Sequence, residues 1–159
     1  MTCMDFPSGR PAQPGEHPSW DAALALVNRD LDALLPGRGP LRLWVMPPWG
    51  EEMGVPVYVA LPDGTWHGNQ LPPRAGVVDV ADAAQETVVE RLWEVWPVCD
   101  EHQLGLHARE EEGRTVWWCN GDGGHVRCGV GELPLPRLPR RERRKRRKRR
   151  KERKRGELQ

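Results

Sequence analysis

Cys99 and His102 are separated by two residues, and further along the chain Cys119 and His125 are separated by five. Two short-range pairs of sulfur and imidazole donors suit zinc, which takes four such ligands in a tetrahedron. Strands are expected at 104–109, 114–119 and 125–130. The turns between them fall at Glu111-Glu112-Gly113 and at the glycine-rich stretch 120–124. Cys99 and His102 then lie in the turn entering the first strand, Cys119 ends the second and His125 opens the third. Both pairs meet at one end of the sheet. Cys128 and His107 compete for the ligand roles. Residues 125 and 128 differ by an odd number, so on a regular strand they project to opposite faces, and His107 lies mid-strand. The first-choice set is Cys99, His102, Cys119 and His125, holding one structural zinc ion.

Four protein ligands leave zinc no open position, which points to structure rather than catalysis. Other catalytic templates are missing. Ser8 and Ser19 are the only serines and fall in a proline-rich lead-in or a helix cap. No P-loop, dinucleotide fingerprint, H-E-x-x-H or EF-hand pattern occurs. Gly121-Asp122-Gly123-Gly124 joins two strands rather than preceding a helix, so it is no phosphate cradle. A Cys119 thiol working with His125 is the one enzymatic alternative. Cys3, Cys99, Cys119 and Cys128 are too few for a disulfide framework in 159 residues. The start of the chain shows no apolar leader, so a reducing, cytoplasmic setting is the expectation.

Several stretches resemble one group of proteins. Residues 96–102, Val116-Trp117-Trp118-Cys119, Gly123-Gly124-His125 and Gly131-Glu132-Leu133 resemble zinc-ribbon knuckles in small uncharacterised proteins of high-GC Gram-positive bacteria. Pro47-Pro48-Trp49-Gly50 and the stretch 61–66 are similar to the same group. The resemblance covers about 20–134. It implies a small α/β domain followed by a ribbon, and no activity.

The elements that must carry the site begin with a helix. Trp20, Ala23, Leu24, Val27, Leu31, Leu34 and Leu35 recur at helical spacing behind an expected Ser19 cap, and Pro36-Gly37 ends the run. Asp30 and Asp32 lie off this stripe. Leu41–Met46 and Val55–Leu61 alternate as strands, and Trp66 is expected to open a third after the Pro62–Thr65 turn. A second helix is expected over 79–96, with Ala81, Ala84, Val88, Leu92 and Val95 inward and Glu86, Glu90 and Glu94 solvated.

The fold class is therefore α+β. A lead-in without structure covers 1–18, and a helix–antiparallel sheet–helix core covers 19–96. A zinc-ribbon-like Cys/His hairpin covers 97–134, and a disordered polybasic tail covers 135–159. Charge separates the same way: 1–136 carry a net −11 and 137–159 a net +12. No apolar run is long enough to span a bilayer.

The tail, centred on Arg143, Arg144, Lys145, Arg146, Arg147, Lys148, Arg149, Arg150 and Lys151, is expected to bind nucleic acid through phosphates, without sequence preference. Tryptophans, among them Trp44, Trp49 and Trp66, offer a surface for a protein partner. The expected function is a non-enzymatic interaction module with a structural zinc. The alternative is a nucleic-acid-binding protein acting through its tail.

Overall fold

The apolar stripe of the first helix faces inward in the computed structural model, which describes residues 9–48, 50–51, 54–136 and 140–156. Cys3 and Trp49 lie outside those residues. Helix α1 spans Pro18–Leu34 and buries Ala23, Leu24, Val27 and Leu31. Pro18 occupies the first turn, where its missing N–H costs nothing. The residue before the helix is His17 rather than the expected Ser19, and its ring stacks on Trp20 instead of capping the backbone.

Strands β2 (Arg42–Val45) and β3 (Val57–Ala60) pair antiparallel, with Leu43 opposite Val59. Leu41, Leu43, Val45, Val57, Val59 and Leu61 are buried as their alternation requires. Val55 is outside the strand and exposed. The third strand differs from expectation. Trp66 does not open one; β1 (Arg10–Pro11), within the supposed unstructured lead-in, pairs with Val45 and Trp44. A two-residue edge strand suits proline, because its missing N–H faces away from the ladder. Arg10 and Glu16 close this segment with two hydrogen bonds of 2.9 and 2.7 Å.

Helix α2 spans Val77–Leu92 and stops four residues short of its expected end. Trp93 takes a left-handed backbone (φ 55°) that terminates the helix. Val80, Ala81, Ala84, Thr87 and Val88 are buried. Val95, expected on the inner stripe, is exposed beyond the helix end. Glu86 and Glu90 are solvated, whereas Glu94 pairs with Arg38 at 3.1 Å. Thr87 is the buried polar residue of α2. Its hydroxyl donates to the Val59 carbonyl at 2.8 Å and accepts from the His67 N–H at 3.1 Å.

A second antiparallel sheet follows, in the order β4 (His107–Glu111), β5 (Arg114–Cys119) and β6 (His125–Gly129). Its inner face does not stand alone. Cys99, Leu106, Trp117, Cys119 and Val130 belong to the same buried cluster as Val27, Val59 and Val88, so one continuous core spans the expected boundary at residue 97. Trp96, expected on the helix, is buried edge-to-face against Trp117, with centroids 5.7 Å apart. Gln85 of α2 donates its side-chain amide to the Leu106 carbonyl at 2.5 Å.

Part of the C-terminal stretch expected to lack structure is helical: α3 spans Arg140–Gly156. Lys and Arg are fair helix formers, and the run contains no apolar residue with which to pack.

Candidate metal centre

Two turns bring four side chains together. The first runs from Cys99 to Gly105. The Cys99 N–H donates to the Leu104 carbonyl at 2.8 Å, and the Gln103 N–H returns to the Cys99 carbonyl at 2.9 Å. This folds His102 back over Cys99. The second runs from Cys119 through a 3-10 turn at Gly121–Gly123 to His125, and residues 119 and 125 face each other across β5 and β6. The β4–β5–β6 sheet thus presents both turns at one end, as the spacing predicts.

One donor atom from each of Cys99, His102, Cys119 and His125 lies within 4.8 Å of the others, so the group can hold a metal ion. The sulfur–nitrogen separations are the sharper test. Cys99 Sγ is 3.7 Å from His102 Nδ1 and 3.8 Å from His125 Nε2, and Cys119 Sγ is 3.4 Å from His102 Nδ1. Ligand bonds of about 2.0–2.3 Å in a tetrahedron give sulfur–nitrogen edges of about 3.6 Å. These three sulfur–nitrogen pairs stand at coordination spacing.

The surroundings prepare these atoms as ligands. His102 Nε2 is 2.7 Å from Asp122 Oδ2. An ionised carboxylate only accepts, so Nε2 carries the proton, and in the neutral ring Nδ1 turns a lone pair toward the two sulfurs. A carboxylate behind a ligating imidazole fixes its tautomer and raises its basicity. The Asp122 hydrogen bond, followed by that of Cys99, raises the His102 pKa, and the same contact with His102 holds Asp122 below the usual carboxylate range. Burial pushes the Cys99 thiol up, but hydrogen bonds from the backbone of His102, the His102 side chain and the backbone of Glu101 outweigh it. Its pKa settles at about 7. Burial raises the Cys119 thiol, against a hydrogen bond of 3.3 Å from the Gly121 N–H.

Gly121 is required for a steric reason. A Cβ there would lie inside van der Waals contact with the His102 ring. The five-residue gap between Cys119 and His125 is occupied by this turn: Gly121 lets the His102 ring pack close, and Asp122, at φ 50°, reaches its Nε2. Sequence reading missed Asp122 as a participant. The available signal was a carboxylate in a glycine-rich turn between two ligand candidates.

His107 is exposed and pairs with Trp118 rather than approaching the centre. Cys128 also stands apart from the four-residue group, but it does not face the opposite side from His125, as regular alternation predicts. Trp117 pairs with Cys128 and Trp118 with Val126, so Arg127 is an extra residue in a β-bulge. Directly paired residues share a face. The bulge therefore puts His125, opposite Cys119, and Cys128, opposite Trp117, on the same inner face. What separates Cys128 from the four-residue group is distance along the strand: it sits three residues beyond His125, where burial raises its thiol pKa to about 11. Arg127, freed by the bulge, makes hydrogen bonds of 2.9 and 3.2 Å to the Asp100 carboxylate and ties β6 to the first turn.

Among the described tryptophans, Trp93 is the exposed one, at 89%. Trp44 lies half-buried against Gly9 and Gly64. Its cross-strand neighbour Tyr58 stacks on Trp66 with centroids 4.5 Å apart. Trp118 carries Arg109 over its ring at 4.0 Å. The nine basic positions 143–151 fall within α3, and the described side chains among them are exposed. No helix among the described residues is long and apolar enough to cross a membrane.

No family model, no curated protein and no solved structure matches this chain.

Proposed function

We propose that the protein is a non-catalytic interaction module whose second sheet is clipped by one structural zinc ion, held by Cys99, His102, Cys119 and His125. The carrying observation is that two sulfurs and two imidazole nitrogens all lie within 4.8 Å of one another, three of the sulfur–nitrogen pairs at 3.4–3.8 Å. A mixed sulfur–nitrogen tetrahedron favours zinc over hard cations, which prefer oxygen. Four protein donors complete the coordination and leave no position for water or substrate. The ion would hold the two turns against each other.

Trp93 supports the interaction reading. It is exposed, and Val95 and Leu104 nearby in the chain are exposed as well, Leu104 on the first metal-binding turn itself. An aromatic anchor flanked by aliphatic side chains is the chemistry of a protein contact. A reducing compartment such as the cytoplasm suits the site, because it keeps both sulfurs available for metal.

Cobalt substitution tests the coordination. Co2+ bound by two thiolates and two imidazoles absorbs strongly in the visible, with sulfur-to-cobalt charge transfer. A weak, pale spectrum typical of six oxygen ligands would reject the assignment.

A further inference from the structure

Helix α3 carries 14 Lys or Arg residues and 2 Glu in 17 positions, a net +12. At 1.5 Å per residue it is about 25 Å long, so it carries about one net positive charge per 2 Å. Duplex DNA carries about one negative charge per 1.7 Å of its axis. The two charge densities match closely.

The distribution of the charge decides between partners. Positions 143–151 are nine consecutive basic residues. At 100° per residue they leave no side of the helix without a cation. A flat partner, such as an anionic bilayer or an acidic protein face, meets one side only and leaves the rest of the charge unused. No residue of α3 is apolar, whereas a helix lying in a bilayer surface needs an apolar face. A groove with phosphates along both walls meets two opposite sides at once. The major groove of B-form DNA is about 12 Å wide, and a helix with its side chains is about 10–12 Å across. The major groove of A-form RNA is too narrow to admit it.

We propose that α3 seats in the major groove of duplex DNA as a sequence-independent phosphate-neutralising helix. Lys and Arg on its opposite faces engage the two phosphate walls. α3 has no aromatic residue to stack on bases and no Asn or Gln to pair with adenine, and its unbroken run of interchangeable Arg and Lys sets no fixed register for reading guanine. Like-charge repulsion along the free helix is relieved by the phosphates, so helix and duplex stabilise each other. The proposal does not depend on the identity of the metal.

The test uses the full chain and a labelled 20-base-pair duplex of arbitrary sequence, with binding read by fluorescence anisotropy across a salt series. About 8 phosphate contacts give a slope of log K against log salt near −7. Two full-length triple variants separate groove from plane. Arg144→Gln with Lys148→Gln and Lys151→Gln clears one face; Arg149→Gln with Arg150→Gln and Arg153→Gln clears the opposite one. Each should flatten the slope by nearly 3, because each loses three phosphate contacts. Duplex RNA and phosphatidylserine vesicles should bind more weakly than DNA at equal salt. An effect confined to one triple variant would overturn the groove seat. So would equal affinity for duplex RNA or for the vesicles, or a slope shallower than −3.

Discussion

The indole N–H of Trp117 donates to Oδ2 of Asp30 over 2.6 Å, joining the middle of β5 to α1 across 87 positions of sequence. Both side chains are fully buried. The same carboxyl group also accepts from the Gly131 N–H at 2.6 Å and the Leu133 N–H at 2.9 Å. One side chain of α1 thus satisfies the indole of the β4–β5–β6 sheet and the backbone turn that leaves it.

Replacing Asp30 by Ala should destabilise the fold by about 3 kcal/mol, because two buried donors and one half-buried donor lose their acceptor at about 1–3 kcal/mol for each buried one. Asp30→Asn should cost less, since its oxygen still accepts, but its NH2 then faces a donor. Chemical denaturation measures both. In a double-mutant cycle with Trp117→Phe, the coupling energy should exceed about 0.5 kcal/mol. Additive effects would show that this contact does not hold the sheet.

Asp122 should tune the metal rather than hold it. Asp122→Asn should weaken metal affinity by about 10–100-fold, the usual effect of removing a carboxylate behind a ligating His. The stoichiometry should stay the same. Competition against a chromophoric chelator measures this. Unchanged affinity would mean that the 2.7 Å contact has no influence on the ligand.

Gly121→Ala should act on the same ring through space. The new methyl group displaces the His102 imidazole, so the variant should bind metal more weakly while the α1–α2 core keeps its amide protection. Hydrogen exchange would locate the loss in residues 97–105 and 119–125. Loss spread evenly over α1 would contradict the steric account.

The N-terminal edge should respond to acid. The Arg10 guanidinium, with the Gln13 N–H, holds Glu16 well below its ordinary value, at about 2. A carboxyl whose folded pKa is depressed contributes stability above its unfolded pKa and loses it as pH falls through the folded one. Protection of the Ala12 amide, which donates to Leu43, should therefore decline between about pH 4.5 and 2. Glu16→Gln should remove that step. A step that persists in Glu16→Gln would assign it to another group.

Much of the site was legible from spacing. Turns that bring paired sulfur and imidazole donors together are local, so Cys99, His102, Cys119 and His125 can be read from short intervals and from turns that must share one end of a sheet. Their support was not legible. The Asp122 contact depends on a left-handed turn, and the face shared by His125 and Cys128 depends on a bulge at Arg127 that alternation cannot show. Asp30 lay hidden for a different reason. Hydrophobic periodicity treats an aspartate off the stripe as solvated, yet tertiary donors 87 to 103 residues away bury it. At the N-terminus, prolines suggested loose chain, but an edge strand needs few donors and accepts them.

Metal content of the purified chain tests the central claim most directly. Elemental analysis of the wild type, Cys99→Ser and Cys128→Ser variants, each after desalting, should find one zinc per chain in the wild type and in Cys128→Ser, and a marked loss in Cys99→Ser. A folded wild-type chain that takes up no zinc when it is supplied, or an equal loss in both variants, would contradict the account.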